Sequence, residues 1–256
     1  MSAERIREPT APVAAARRRR LRADRARQLA DLLRHQARTT GFPGGVLPLE
    51  DRLGADYGVS RNTVRQALDL LRSQGLVERR PGVGTVLVAE KYPHGLDRLQ
   101  GLAETLREHG EVTNEVRTAG PVPAPAPVAR RLGLPERSDV LCVERLRRLD
   151  GLPLSLDLTY IPMDLGATLL DCDLEHHDVF RLLERLTGRA LGSADVTLEA
   201  VSADAHSAAV LQAPRGAAVL MMERLTRLDD GRPVDLEFIR FRGDRIAMSG
   251  HLRRSR

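Results

Sequence analysis

Apolar positions in the first third of the chain recur at the three- and four-residue spacing that is typical of amphipathic helices. The pattern predicts a helix over 24–40, which the Gly- and Pro-rich segment 41–45 ends. A second predicted helix runs from Glu50 to Gly58, and Ser60 then stands where a third helix needs an N-cap. The inward face of this third helix is formed by Val64, Ala67, Leu68 and Leu71.

Strand-like segments follow Gly75, which closes the third helix. The segments are Leu-Val-Glu-Arg-Arg at 76–80 and Thr-Val-Leu-Val at 85–88, and they flank the Pro-Gly-Val-Gly sequence at 81–84. The pattern therefore predicts a β-hairpin directly after the three helices.

An internal duplication organises the second half of the chain. Segment 144–153 is echoed by 223–233, and Leu132 and Pro135 upstream are echoed 79 positions later. Each copy predicts a strand, a short helix, a strand, an Asp-Gly turn and a further strand. We therefore expect one antiparallel sheet built from two similar halves, with helices on one side and a helix over 178–187 connecting the halves.

Composition marks the boundaries between five segments. Prolines, alanines and a run of four arginines precede the first helix, and Pro93 and Gly95 interrupt the pattern between the hairpin and the duplicated half. The segments are a disordered basic tail (1–22), a domain of three helices and a hairpin (23–88), a linker (89–95), a sheet domain (96–250) and a short tail (251–256).

The distribution of charge separates the two domains. Residues 1–92 hold 18 Lys and Arg against 10 Asp and Glu, whereas residues 93–256 hold 22 against 25. A polyanion is therefore expected to meet the first domain only. The two cysteines form no disulfide framework, no apolar run reaches the length of a membrane span, and nothing resembles a signal peptide. We expect a soluble cytoplasmic protein.

The third helix has the composition of a DNA-recognition helix. Arg61 and Arg65 lie four positions apart and share a face roughly opposite the apolar stripe, with Asn62 and Gln66 beside them. In the major groove, Arg pairs with guanine edges and Asn or Gln with adenine. The alternative is a solvated basic face, which is the commoner meaning of such a pair on an isolated helix. The succession of turn, cap, basic face and hairpin favours DNA reading.

The segments 47–50, 59–68 and 75–85 resemble the winged helix-turn-helix of GntR-family transcription regulators, and the resemblance covers about residues 24–88. One departure is Leu49, where that family usually has a Ser that caps the helix, so we expect a local loss of about 1 kcal/mol. The resemblance implies DNA contacts from the second helix, the third helix and the hairpin tip. They are Arg52, Ser60, Arg61, Asn62, Thr63, Arg65 and Gly82.

The duplicated half carries a recurring order of Arg, Gly and Pro positions: Arg145, Arg147, Gly151, Pro153, Tyr160 and Pro162, then Arg224, Gly231, Pro233 and Arg242-Gly243-Asp244. In this order it resembles, over roughly residues 95–250, the UTRA ligand-binding domain of the HutC-type branch of that family, which is similar in fold to chorismate lyase. The resemblance implies an α+β chain: an N-terminal winged helix-turn-helix and a C-terminal antiparallel-sheet UTRA domain. It also implies an effector pocket beside the sheet, at Arg145, Arg147, Asp157, Asp178, Asp235 and Phe241. Alternate strand residues face the same side, so the two arginines can converge on one anion. The alternative is a surface strand with ion pairs.

Two departures from the UTRA pattern bear on the effector. Relatives that bind sugar phosphates usually offer a Ser at the start of the middle helix, whereas this chain has Asp178, whose carboxylate would repel a phosphate. Phe241 stands where many relatives have Tyr, which makes the pocket drier. We therefore expect an effector other than a sugar phosphate, and a carboxylate held by the arginines remains an alternative.

Neither a metal site nor an enzyme is indicated. Cys172, Asp173, His176 and His177 stand close together, but no second cluster completes a metal site. A lyase-like enzyme is the competing class for the second domain, and no nucleophile–base arrangement is visible in it. We expect no cofactor and no enzymatic activity.

The sequence therefore predicts a transcription regulator, and specifically a repressor. It would bind a palindromic operator in double-stranded DNA as a homodimer and respond to a small-molecule effector. The alternative is a dimeric architectural or plasmid-maintenance DNA-binding protein without a ligand. No pattern in the chain specifies the effector, the operator or the regulated genes. Repression as opposed to activation, and release as opposed to strengthening of DNA binding by the effector, also stay open.

Overall fold

The computed structural model describes residues 11–88 and 91–254, and the chain divides into two compact units, Met1–Glu90 and Lys91–Arg256. The described part of the first unit contains three α-helices and an antiparallel hairpin. These elements are α1 (Ala11–Thr39), α2 (Glu50–Asp56), α3 (Arg61–Ser73), β1 (Val77–Arg80) and β2 (Gly84–Leu87). A short 3-10 turn at Pro43–Gly45 separates α1 from α2.

An apolar core between the three helices holds the first unit together. Leu33 of α1, Leu53 of α2 and Leu71 of α3 are almost completely buried in it, and the whole predicted inward face of α3 is buried as well. The helix begins where the sequence predicts, because the Ser60 Oγ accepts a hydrogen bond from the Thr63 N–H at 3.2 Å. This cap satisfies one of the free N–H groups that every helix start exposes.

Helix α1 is longer than the sequence pattern predicts. It begins at Ala11, so residues 11–22 are helical where we expected disorder. Alanine, leucine and arginine are strong helix formers, and Pro12 stands in the first turn, where proline is tolerated. The expectation of a disordered tail is therefore wrong for residues 11–22, and residues 1–10 lie outside the described part of the chain.

The second unit is built on a six-stranded antiparallel sheet. Its strands are β4 (Val112–Pro123), β5 (Asp139–Leu149), β6 (Leu152–Pro162), β7 (Leu191–Ser202), β8 (Ala218–Leu228) and β9 (Pro233–Arg242). They lie in the order β4-β5-β6-β9-β8-β7. The helices are α4 (Leu102–Leu106), α5 (Ala126–Leu132), α6 (Met163–Leu169), α7 (Val179–Thr187) and α8 (Ala205–Val210). No described helix is long and apolar enough to cross a membrane.

The predicted duplication is present in the structure. The elements β4, α5, β5 and β6 recur as β7, α8, β8 and β9, and α5 and α8 begin at Ala126 and Ala205, which are 79 positions apart. The two copies meet at the centre of the sheet, where β6 pairs with β9. Equivalent residues of the two halves therefore converge on the middle of the sheet.

Helices cover both faces of the sheet, whereas we expected them on one face. Leu146 and Leu225 lie under α8 and α5, and Val143 and Leu228 lie under α6 and α7. Val143 and Leu146 are an odd number of positions apart on β5, so they point to opposite faces. The expectation was wrong because the connecting segment supplies its own amphipathic helices and because β5 is apolar on both sides.

The boundary between the units is shorter than the predicted linker 89–95. Tyr92–Gly95 forms a strand, β3, that pairs in parallel with β10 (Ile246–Ser249). His94 on this strand is buried. Residues 92–95 therefore belong to the second unit, and the sequence pattern missed them because their partner strand lies at the far end of that unit.

Candidate DNA-binding surface and candidate effector site

The N-terminal half of α3 presents a basic and polar surface opposite its buried stripe. The side chains of Arg61 and Arg65 are 60% and 59% exposed, and Asn62 and Gln66 beside them are exposed as well. The helix takes this orientation because Val64 and its apolar neighbours are drawn into the core. The structure thus brings together the four side chains that the sequence places on one face.

Thr63 differs from the other predicted DNA contacts on this helix. It is only 4% exposed, and its Oγ1 lies 2.8 Å from the Ser60 Oγ. The hydroxyl is therefore part of the N-cap and is not a free donor on the surface. Ser60 itself remains exposed at the start of the helix.

Two acidic residues at the start of α2 contact the arginines of α3. The Arg65 Nε donates a hydrogen bond to the Glu50 Oε2 at 2.7 Å, and the Arg61 Nε lies 3.6 Å from the same oxygen. The Asp51 Oδ1 lies 3.2 Å from the Arg61 Nε. The hydrogen bond and the charge of Glu50 raise the pKa of Arg65. Glu50 therefore holds the two guanidinium groups side by side, which the sequence could not show because the contact joins two helices.

The hairpin tip and α2 carry the remaining predicted contacts. Gly82 is exposed at the tip and has a φ of +76°, a conformation that residues with a Cβ rarely adopt. Arg79 and Arg80 on β1 are exposed beside it. Arg52 on α2 is exposed, and its Nε lies 3.7 Å from the Asp56 Oδ2. The arginines at these positions are exposed to solvent, and Arg80 also bonds Glu78 at 2.6 Å.

Charged side chains are gathered inside the second unit, on the face of the sheet that α7 covers. This group, which we call the buried charge cluster, consists of Arg145, Arg147, Asp157, Asp178, Arg224, Asp235 and Glu237. Arg145 is only 1% exposed, and Asp157 and Asp235 are fully buried. Arg145 and Arg147 therefore do not lie on a surface strand with solvated ion pairs, which was the alternative that the sequence left open.

Strand register places Arg224 and Arg145 opposite carboxylates, but only Arg224 forms an ion pair with the residue opposite it. Arg224 stands opposite Glu237 and donates to it, with Nε 2.9 Å from Oε2. At the equivalent place in the first half, Arg145 stands opposite Asp157. Asp157 instead accepts from Arg147, at 3.2 Å from Nε and 2.9 Å from Nη2. Arg145 keeps a long bond of 3.5 Å to a backbone carbonyl and has no ion pair with a described carboxylate.

Several polar atoms of this region have no hydrogen-bond partner among the described residues. They are Arg145 Nε, Arg147 Nη1, Thr159 Oγ1, Asp178 Oδ2, Thr226 Oγ1 and both carboxylate oxygens of Asp235. Buried polar groups are nearly always satisfied in native proteins, so such a set marks positions for the polar atoms of a bound molecule or of water.

Burial also shifts the ionisation of the cluster. Desolvation, reinforced by the charge of Glu237, raises the pKa of Asp235 well above its usual range and favours the uncharged acid. Desolvation and the charge of Arg147 lower the pKa of Arg145. Burial also opposes the charge of Arg147, but the carboxylates of Asp157 and Asp178 outweigh it and raise the pKa of that residue.

Asp178 joins the cluster to the start of α7. Its Oδ1 accepts a hydrogen bond from the Phe180 N–H at 2.9 Å, as an N-cap residue does. Its Oδ2 lies 4.0 Å from the Arg147 Nη1. Phe241 is fully buried in an apolar cluster with Met222, and it pairs across the sheet with Ser155.

A cavity of about 170 Å³ lies over the second half of the sheet. The segment 94–100 forms one wall, and Ala194, Val196, Met222 and Arg224 form the other. Arg224 lines the cavity and also belongs to the buried charge cluster, so it is the residue at which the two adjoin. The Arg224 Nη1 also donates to a backbone carbonyl of the 94–100 segment, at 3.3 Å.

His94 lines this cavity as an uncharged side chain. Burial, together with the charges of Arg224 and Arg147, lowers its pKa to about 4. Its Nδ1 lies 2.9 Å from the Thr105 Oγ1. Sequence reasoning did not place His94 in the site, because its burial depends on the pairing of β3 with β10.

Arg224 and Glu237 are further site residues that sequence reasoning did not predict. A signal for both was present in the duplication. Arg224 follows Arg145 by the repeat offset of 79 positions, and Glu237 follows Asp157 by one position more. The extra residue lies in the Asp-Gly turn of the second copy.

The histidines before α7 are engaged within their own loop. The His176 Nδ1 lies 2.8 Å from the Asp173 Oδ2, and the Cys172 Sγ lies 3.4 Å from a backbone carbonyl of α6. Within 11–88 and 91–254, no group of three or more His, Cys, Asp and Glu side chains is arranged to hold a metal ion.

Known families match both units of the chain. Residues 25–87 match the bacterial regulatory proteins of the gntR family, and residues 107–247 match the UTRA domain. The chain is 32% identical over 235 residues to the HTH-type transcriptional regulator Rv0792c of Mycobacterium tuberculosis, an alignment that covers 89% of this chain and 86% of that protein. It is 27% identical over 213 residues to the HTH-type transcriptional repressor NagR of Bacillus subtilis, covering 83% and 87%.

The fold agrees with these matches. The crystal structure of PhnF from Mycobacterium smegmatis aligns with a TM-score of 0.64 and 26% identity, covering 82% of this chain and 92% of that one. The first unit, with α3 and the hairpin, therefore fits the gntR match, and the second unit, with the duplicated sheet, fits the UTRA match. The chain belongs to the GntR family of bacterial regulatory proteins and is a DNA-binding transcription regulator with a UTRA effector-binding domain.

Proposed function

We propose that the protein is a repressor that binds a palindromic operator as a homodimer and changes its affinity for DNA when an effector binds its UTRA domain. The observation that carries the DNA-reading part is the pair Arg61 and Arg65, exposed on α3 and held together by Glu50. Relatives named as repressors, NagR among them, support the direction of regulation, and the names of the relatives support a binding role over a catalytic one. Because the proposed partner is DNA, we infer that the protein acts in the cytoplasm.

In this proposal, α3 enters the major groove by its N-terminal half. Arg61 and Arg65 pair with guanine edges and Asn62 with an adenine edge. Ser60 and Arg52 contact phosphates, and the tip at Gly82 approaches the neighbouring groove closely because it has no side chain. Thr63 acts by holding the N-cap. In a homodimer, two such helices would occupy successive major grooves of an inverted repeat.

The effector site is the buried charge cluster together with the adjoining cavity. The unpartnered atoms of Arg145, Arg147, Asp178 and Asp235 support this assignment, because a ligand with several polar groups would satisfy them. Asp157 orients Arg147 through its two hydrogen bonds. Phe241 contributes to the apolar wall through the cluster that also contains Met222.

The DNA part of the proposal is tested by replacing one arginine of α3. Arg65→Ala should weaken binding to the preferred duplex by about 1–3 kcal/mol and relax the base preference, because a bidentate base contact is lost. Arg72→Ala is the matched control, since Arg72 is an exposed arginine on the C-terminal part of the same helix and pairs with Asp69. Fluorescence anisotropy with specific and scrambled duplexes measures both. Equal weakening on both duplexes by Arg65→Ala would contradict base reading.

A further inference from the structure

The three arginines of the buried charge cluster share one compact site at the start of α7. The side chains of Arg147 and Arg224 are almost as buried as that of Arg145. Asp157 neutralises Arg147 and Glu237 neutralises Arg224 through direct hydrogen bonds. The cluster therefore holds one guanidinium charge, on Arg145, that no direct ion pair with a described residue compensates.

Asp178 adds a third carboxylate to the cluster, beside Arg147. Its carboxylate acts electrostatically on all three arginines, and its Oδ2 faces the unpartnered Arg147 Nη1 at 4.0 Å. Asp157, Glu237 and Asp178 thus set three carboxylates beside the three arginines, and burial favours the uncharged acid of the fourth, Asp235. A further anion in the same desolvated space would be opposed by Asp178 and would leave a net buried negative charge.

The backbone at Gly101 leaves room for the Asp178 carboxylate. A Cβ at Gly101 would stand 2.6 Å from the Asp178 Cγ, which is closer than real Cβ contacts allow. The side chain is also fixed from the other side, because its Oδ1 caps α7 through the Phe180 N–H. The carboxylate therefore sits in a fitted position between a glycine, a helix start and an arginine.

We propose that Asp178 determines the specificity of the effector site by acting as a built-in anion that excludes anionic ligands. The ligand class that fits is an uncharged molecule bearing several hydroxyl groups. Hydroxyls both donate and accept, and the site offers unpartnered donors on Arg145 and Arg147 and unpartnered acceptors on Thr159, Thr226 and Asp178. The inference rests on the proposed effector site and narrows its ligand class, because Arg147 and Arg224 are already paired with carboxylates and Asp178 stands beside Arg147.

The test is to remove the built-in anion and offer an external one. Asp178→Ser keeps an N-cap for α7 while removing the charge, and Asp178→Asn does so with less change of shape. Full-length protein is titrated with inorganic phosphate in a calorimeter, with sodium chloride at matched ionic strength as the reference. The unaltered protein should show no saturable binding. Asp178→Ser should bind phosphate saturably and unfold roughly 2–4 °C higher at saturating phosphate.

Asp173→Ser is the matched control. Asp173 is an exposed carboxylate in the loop before α7, and its loss changes the net charge equally without opening the cluster. It should gain no phosphate binding. Saturable binding of phosphate by the unaltered protein would overturn the proposal, and so would the failure of both folded Asp178 variants to gain it. The titrations are done without DNA. A gain of phosphate binding by the Asp178 variants would therefore support the role of Asp178 even if no effector altered the affinity for the operator.

Discussion

At the scale of single residues, Glu50 links Arg61 and Arg65, the two arginines that we propose read bases. Its carboxylate contacts both guanidinium groups, so it limits their freedom before DNA arrives and orients them together. An arginine that is already oriented loses less conformational entropy when it pairs with a base. Glu50 therefore acts as a positioning residue for Arg61 and Arg65.

Glu50→Gln should lower the ratio of specific to non-specific affinity several-fold. Releasing the arginines lets them reach phosphates, and removing a negative charge near DNA steepens the salt dependence of binding. The measurement is anisotropy on specific and scrambled duplexes over a series of salt concentrations. Asp56→Asn is the control, because Asp56 pairs with Arg52, for which we propose a phosphate contact and no base contact. An unchanged specificity ratio in Glu50→Gln would show that the contact has no role in base reading.

His94 gives the second unit a dependence on pH. Its pKa is about 4 in the folded protein against an ordinary 6.5, so the unfolded chain binds the proton more tightly. The free energy of unfolding is therefore highest above pH 6.5, and it falls by up to about 3 kcal/mol as the pH drops towards 4. Chemical unfolding at several pH values should show a smaller loss in His94→Gln. Parallel pH curves for the two proteins would contradict this.

At the scale of secondary-structure elements, α2 starts without a side-chain cap. Leu49 occupies the N-cap position with an extended backbone and is 79% exposed, so it neither caps the helix nor contributes to the core. Leu49→Ser should raise the free energy of unfolding of the first unit by about 1 kcal/mol. Leu49→Ala, which removes the same apolar side chain without adding a cap, should not. Denaturant unfolding of the two variants separates a capping effect from a surface effect.

The elements that the sequence predicted best are those with local signals. Helix α3 was foreseen through Ser60 and its apolar stripe, and the two halves of the sheet through their repeat. The extension of α1 to Ala11 was missed because helix propensity without a packed face is a weak signal. The pairing of β3 with β10 was missed because strand partners far apart in sequence leave no local trace.

In the candidate sites too, local features follow from the sequence, whereas contacts between distant residues do not. The exposed face of α3 follows from spacing alone, since 3.6 residues per turn fixes which side chains oppose the core. Placing Arg145 and Arg147 on one face also follows from strand alternation. The choice of Arg147 over Arg145 as the partner of Asp157 does not, because side-chain pairing in a buried cluster depends on three-dimensional packing and charge.

At the scale of the whole molecule, DNA reading and effector sensing reside in separate units of one chain. If the effector weakens operator binding, the operator must weaken effector binding by the same factor. The distribution of charge agrees with this division, since residues 1–92 carry an excess of basic residues and residues 93–256 do not. Regulation then depends on how strongly the two binding events are coupled.

The most direct test of this account is selection of bound duplexes from a randomised DNA pool with the full-length protein. We predict recovery of a short inverted repeat, with guanine at the positions that Arg61 and Arg65 contact. Recovery of no motif, with retention that disappears in modest salt, would contradict the account. It would mean that both arginines contact phosphates only, and it would favour an architectural DNA-binding protein.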